Sequence, residues 1–141
     1  MFYTNADQLV NKRDQLLMFI ADDPPDIMLI TEVIPKSQIH PINPALLDIE
    51  GYNLHKNFDL ESSNLGRSGI RGVAIYSSKK IKVNEIDISV EGQKDHLWVE
   101  IPTQTGEKVL CGCIYRSPSD DVDLISCQKS TDGIRQLITK A

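Results

Sequence analysis

Apolar residues recur along this chain in several rhythms, and each rhythm predicts a different element. The stretch Ile27–Thr31 follows the breaker Asp22-Asp23-Pro24-Pro25 as an uninterrupted apolar run. A run of that length predicts a strand buried on both faces. Just before it, Leu16, Leu17, Phe19 and Ile20 return at helical spacing. Asn11-Lys12-Arg13-Asp14 opens that stretch in the manner of a capping box, with Asn11 as the cap and Asp14 in the Glu position. The paired prolines end the helix, because the ring lacks an N–H and clashes with the preceding turn. Upstream, residues 2–4 read as the tail of a first strand.

The later pattern is mostly alternating. Residues 52–56 and 73–77 predict strands, and Ile81, Val83, Ile86 and Ile88 suggest one or two more with looser alternation. Residues 96–101 and 109–115 predict two strands around the hairpin-length turn Thr103-Gln104-Thr105-Gly106. The segment 35–44 holds three prolines and reads as loop, as does the polar, glycine-bearing segment 59–72. Leu124, Ile125, Ile134, Leu137 and Ile138 predict a closing helix, interrupted near Gly133. There is no internal repeat and no low-complexity tract. The order is strand, helix, strand, several strands, helix. That order predicts a mixed α/β layered sandwich rather than a doubly wound sheet.

Composition narrows the picture. A chain of 141 residues suits one domain with a real core. Its net charge of -5 argues against a whole-surface nucleic-acid clamp and leaves room for a local basic groove. The sequence has no apolar run of about 18 residues, so no membrane span is expected. The start lacks a basic-then-apolar leader, so an intracellular protein, nuclear or cytoplasmic and not secreted, is expected. Three cysteines, an odd number, then suggest reduced thiols. Cys111 and Cys113 would face the same way on one strand. No second pair completes a zinc set, so they read as small core residues.

Candidate chemistry clusters at the ends of predicted strands. Asn5 and Asp7 follow the first, Glu32 follows the buried run, and Tyr115 ends the last. An amide, two carboxylates and a phenol can hold a hard divalent cation beside a phosphate. Phosphodiester hydrolysis needs a cation to neutralise charge and donors for the developing oxyanion. Mg²⁺ takes oxygen ligands and keeps several of its waters. Taken singly, each residue has an ordinary role: a charge closing a strand, local turn caps, an edge aromatic. The weight lies in their joint occurrence. The loop Gly66-Arg67-Ser68-Gly69-Ile70-Arg71-Gly72 is not a Walker pattern, since no Gly-Lys-Ser/Thr follows. It reads first as a flexible approach to the next strand.

Six phrases carry a resemblance: YTNADQLVNKRDQL (3–16), PDIMLITEV (25–33), GYNL (51–54), GVAIYSS (72–78), DHLWVEI (95–101) and GCIYRSPSD (112–120). In this order they resemble the endonuclease/exonuclease/phosphatase superfamily, of the exonuclease III and deoxyribonuclease I type. Within it they are most similar to the endonuclease domain of non-LTR retrotransposon polyproteins. The resemblance implies a four-layered α/β sandwich with two packed, mixed and mostly antiparallel sheets. It implies Mg²⁺- or Mn²⁺-dependent cleavage of phosphoesters, with DNA phosphodiesters as the ancestral substrate. Glu32 would be the metal-binding carboxylate. Asn5 would help hold the metal or the nucleophilic water, and Asp7 would supply a second acidic group. Tyr115 would hydrogen-bond the scissile phosphate. Arg116, Arg67 and Arg71 would lie along nucleic-acid backbone.

The departures bear on activity. The family's later Gly-Asp-Phe-Asn and Ser-Asp-His motifs do not occur in these 141 residues. None of His40, His55 and His96 stands where it could replace the missing histidine. The whole of 1–141 therefore reads as a truncated domain without its C-terminal half. Such a fragment is expected to be inactive alone and to bind metal weakly. It should also self-associate through a sheet face left uncovered. Two alternatives stay open: a non-catalytic remnant or interaction fragment, and a phosphatase-type member with a small phosphoester substrate.

Overall fold

A computed structural model describes residues 1–36, 40–60, 70–89 and 93–116. Among them the elements run β1 (Phe2–Asn5), α1 (Leu9–Ile20), β2 (Ile27–Thr31), β3 (Tyr52–Lys56), β4 (Val73–Ser78), β5 (Asn84–Ile86), β6 (His96–Pro102) and β7 (Lys108–Ile114), with a short 3-10 turn at Pro44–Leu46. The first sheet has the order β1-β2-β4-β3 and the second β5-β6-β7. Only β1 and β2 pair in parallel, joined through α1, and every other pairing is antiparallel. This is a mixed α/β fold of two sheets, as the pattern predicts. The expected closing helix at 124–138 lies outside the described residues, as does Cys127.

The two sheets face each other. Ile27, Val73 and Ile75 from the first meet Leu97, Val99, Cys111 and Cys113 from the second. Cys111 and Cys113 are buried free thiols in this layer, which agrees with their reading as core. Burial holds Cys113 protonated, with its thiol pushed up to about 12. The other face of the first sheet packs under α1 through Met28, Ile30, Ala74 and Tyr76 against Leu9, Leu16 and Ile20. β2 is thus buried on both faces, which is why its sequence is continuously apolar. Gly112 sits directly under the Trp98 ring, where any Cβ would collide with the indole.

One polar tie also crosses between the sheets. His55 bonds Glu85 at 2.9 Å through Nδ1 and the Ser77 hydroxyl at 2.9 Å through Nε2. Ser77 is fully buried and pairs with Ile27, at the far end of β2 from Thr31. A hydroxyl so enclosed cannot meet a substrate, so the tie is structural.

One expectation is corrected. The capping box at Asn11 does not form, and α1 begins at Leu9 after Gln8, whose φ is 81. The backbone N–H groups of Gln8 and Leu9 donate instead to Glu32 O and Val33 O, at 2.9 and 3.1 Å. These long-range bonds satisfy the helix start before Asn11 is reached. The loose stretch from Ile81 to Ile88 does yield one strand, Asn84–Ile86, within the one or two expected. β1 is an edge among the described strands. The inner sheet faces cover each other. Exposed large apolar residues lie on β1 and α1 (Tyr3, Met18, Phe19) and equally on β7 (Val109, Leu110), besides Met1 and Leu46.

Candidate metal and phosphoester site

Register explains why the site residues meet. β1 and β2 run parallel, with Asn5 opposite Thr31, so Asp7 and Glu32 emerge at the same sheet end. β4 runs the other way, with Val73 opposite Thr31, so Arg71-Gly72 enters at that end too. Three loops are stitched together there. Ala6 N bonds Thr31 O at 2.9 Å, Val33 N bonds Gly72 O at 3.2 Å, and Ile34 N bonds Arg71 O at 2.8 Å.

The turn residues are held in left-handed conformations. Glu32 has φ 54 and Asp7 has φ 39. Such backbone costs an L-residue about 1–2 kcal/mol and persists only where its surroundings enforce it. Here the Gln8 N–H bond to Glu32 O enforces it. The reward is direction: the Glu32 carboxylate turns back towards β1.

Two donors converge on that carboxylate. Asn5 Nδ2 donates to Oε1 at 2.7 Å and Arg71 Nη2 to Oε2 at 2.8 Å. The Tyr115 phenol lies near enough to feel its charge. Asn5 Oδ1 meanwhile accepts the Asp7 N–H at 3.1 Å. In this arrangement Asn5 orients Glu32 with its amide nitrogen, and its oxygen closes the Asp7 turn. Arg71 Nη2 also reaches Asp7 Oδ1 at 2.8 Å, while Arg71 Nε donates to Ile34 O at 2.9 Å. The expected residues Asn5, Asp7, Glu32 and Tyr115 are therefore brought together. Arg71 joins them as a buried guanidinium within the cluster rather than as a surface group. Arg116 follows Tyr115 at half-buried depth, and Arg67 lies outside the described residues.

Asp95 is a residue that sequence reasoning missed. It is buried, and its carboxylate accepts the backbone N–H groups of Arg71 and Gly72, both at 3.0 Å. Asn57 Nδ2 reaches the same carboxylate at 3.2 Å, and Asn57 Oδ1 accepts Val73 N at 2.8 Å. The carbonyl of Asp95 accepts the Tyr115 N–H at 2.8 Å. One side chain thus fixes the entry to β4 while its backbone fixes Tyr115. The only sequence signal was a charged residue opening the apolar strand of DHLWVEI.

Burial, then the hydrogen bond and charge of Glu32, push the Tyr115 phenol up from its ordinary 10.0 to about 12. At neutral pH it is a firm donor. Buried Tyr76 is also raised, mainly by burial. In each case the folded chain holds its proton more tightly than the unfolded chain does. Their stabilising contribution is therefore complete below the ordinary thiol and phenol values of 9.0 and 10.0, and is lost as pH rises towards about 12. Urea midpoints should accordingly fall steadily above pH 9, Cys113 acting first. A flat profile from about pH 9 to 11 would contradict these assignments.

Metal chemistry has a partial match. Among the described residues no three His, Cys, Asp or Glu side chains group around one point. Two carboxylates, Glu32 and Asp7, do converge, and a cationic guanidinium already bridges them at 2.8 Å on each side. A site that holds one cation between two hard oxygens fits Mg²⁺ or Mn²⁺, which need few protein ligands. The mouth is open, with Asn5 and Asp7 both exposed. A concavity of about 440 Å³ lies elsewhere, beside Glu85, Asp87, His96 and Trp98. None of Asn5, Asp7, Glu32 and Tyr115 lines it.

No known family profile matches the chain. No curated protein matches it either. Solved structures do. The AP endonuclease LMAP from Leishmania major superposes with a TM-score of 0.53 at 13% identity, over 82% of this chain and 39% of that one. The 3'-5' exonuclease NExo from Neisseria meningitidis gives a TM-score of 0.51 at 18% identity, over 98% of this chain and 52% of that one. This chain therefore spans about half of those proteins' length or less. At such identities the likeness is one of fold. The chain has the layered α/β fold of the deoxyribonuclease I-like nucleases.

Proposed function

We propose that this chain is the metal-binding portion of a Mg²⁺-dependent phosphodiesterase domain of the endonuclease/exonuclease/phosphatase superfamily. We place it in the branch found in non-LTR retrotransposons, with DNA as the ancestral substrate. The observation that carries the reading is the convergence of Asn5, Asp7, Glu32 and Tyr115 at one sheet end. Two structures of the same fold are nucleases by name, which supports a nucleic-acid substrate.

Glu32 and Asp7 would hold the cation, which when bound supplies charge neutralisation at a phosphoryl oxygen. The residues of the chain do the positioning. Asn5 keeps Glu32 turned into the mouth. Tyr115 offers a proton-bearing phenol to a phosphate oxygen and does not ionise there at neutral pH. Arg116, next in the chain, would meet the backbone of the nucleic acid, as would Arg67. The groups that meet Glu32 and Asp7 are Asn5 and Arg71, neither of which is a general base, and His55 is committed to Glu85 and Ser77.

The chain alone should be inactive for that reason. A second reading, a non-catalytic remnant, is favoured by one observation: Arg71 already supplies a cation to both carboxylates. Self-association, expected through an uncovered sheet face, would draw on exposed apolar residues such as Met18 and Phe19 on α1 and Val109 and Leu110 on β7.

Plasmid nicking tests the reading. Supercoiled DNA incubated with the chain and Mg²⁺ should show no nicked product above a metal-free control. Sites that act as a unit lose most of their rate when a member is missing. Brisk nicking that disappears in Glu32→Ala would show the site to be complete, and so would overturn the claim of inactivity.

A further inference from the structure

Arg71 is the group this fold treats most carefully and the one least explained by phosphoester chemistry. Its side chain is only 6% exposed, although it carries a permanent charge. Its backbone N–H is fixed by Asp95 and its Nε by Ile34 O. Of its two terminal nitrogens, Nη2 sits at 2.8 Å from both Asp7 Oδ1 and Glu32 Oε2. That nitrogen lies where an ion shared by those two oxygens would also have to lie. Two cations cannot be stacked between the same pair of carboxylates, because their mutual repulsion cancels what each gains.

We propose that Arg71 is a built-in competitor for the divalent cation: it occupies the Glu32–Asp7 position in the metal-free protein and must yield its Nη2 contact before Mg²⁺ or Mn²⁺ can bind. This rests on the reading of Glu32 and Asp7 as metal ligands. It adds that the weak affinity of the site is set by a resident guanidinium and not only by the small number of ligands. Ordinary buried ion pairs are satisfied when both partners are matched. Here one arginine faces two carboxylates, so the cluster keeps a net negative charge that a divalent ion would neutralise better than a guanidinium can. Anchoring through Nε and the backbone means that a displaced Arg71 stays beside the mouth. Its fork of donors is then free for a phosphate oxygen.

The test is direct metal binding, measured by Mn²⁺ titration with electron paramagnetic resonance on the whole chain. Arg71→Met should bind Mn²⁺ about tenfold or more tightly than the unaltered protein, the range of a typical coupling between two sites. Arg71→Lys, which keeps the charge but not the fixed fork, should fall between the two. Folding of each variant is checked by circular dichroism at the titration temperature. A second measurement needs no variant. In ¹⁵N spectra of the unaltered protein, Mg²⁺ should shift the Arg71 side-chain signals and speed rotation of its terminal nitrogens. Equal Mn²⁺ affinity in Arg71→Met and the unaltered protein overturns this proposal and leaves the metal site standing, as do Arg71 signals unmoved by Mg²⁺ at saturation. No Mn²⁺ binding in any of the proteins overturns both the competitor and the metal-site reading.

Discussion

Replacing Asp95 with alanine should cost more stability than any other single truncation of a polar side chain near the site. Its carboxylate accepts two buried backbone N–H groups at 3.0 Å and the part-buried Asn57 amide at 3.2 Å. Each buried donor left without a partner costs about 1–3 kcal/mol, and bonds to a charged acceptor lie at the upper end. Water can rehydrate part of the exposed margin, so the donors do not sum fully. A loss of about 3–5 kcal/mol is expected from urea unfolding of Asp95→Ala, a large share of a small domain's total. Asp95→Asn keeps one acceptor oxygen and should lose about half as much. A change below about 1 kcal/mol in Asp95→Ala would show that the clamp is not what holds the β4 entry.

Gly72→Val should follow closely. Gly72 has φ +73, and a Cβ there would stand 2.7 and 2.9 Å from the Phe58 ring and 3.0 Å from Ile34 Cδ1. The left-handed backbone costs an L-residue about 1–2 kcal/mol. Forcing added carbons against a packed ring costs about 1–3 kcal/mol more. A β-branched side chain suffers both penalties at full strength. Because Gly72 O also accepts Val33 N at 3.2 Å, the displacement should be felt next to Glu32. The expected signature is a melting temperature lowered by several degrees, together with weaker Mn²⁺ binding. Retention of both would mean that Phe58 can swing away freely. Gly51, also at positive φ but with nothing within 4 Å of its Cβ position, provides the contrast, since its substitution meets backbone strain alone.

What was legible in the sequence follows the physics of each element. β2 was clear because burial on both faces leaves an unbroken apolar signature. The β6–β7 hairpin was clear because alternation on both sides of a glycine-bearing turn has few other readings. The start of α1 was not, because two N–H groups are satisfied by Glu32 O and Val33 O, far away in the chain. A local capping pattern cannot anticipate a partner brought in by the sheet. The meeting of Asn5, Glu32 and Tyr115 was legible only through the resemblance, since each residue alone suits an ordinary strand end. Arg71 and Asp95 were illegible in their roles. Both act through backbone and ion-pair contacts with residues far away in the chain, 64 positions apart for Arg71 and Asp7. An arginine in a glycine-rich loop reads as a surface charge until the fold turns it inward.

The central claim is that Glu32 anchors a divalent-cation site. Mn²⁺ titration followed by electron paramagnetic resonance tests it most directly, comparing the unaltered chain with Glu32→Gln and with Glu85→Gln, a carboxylate tied to His55 outside the cluster. The account predicts one ion bound with a dissociation constant of about 0.1–1 mM, as expected for a site of few carboxylates. That binding should be lost in Glu32→Gln and kept in Glu85→Gln. Equal binding by all three proteins would contradict it.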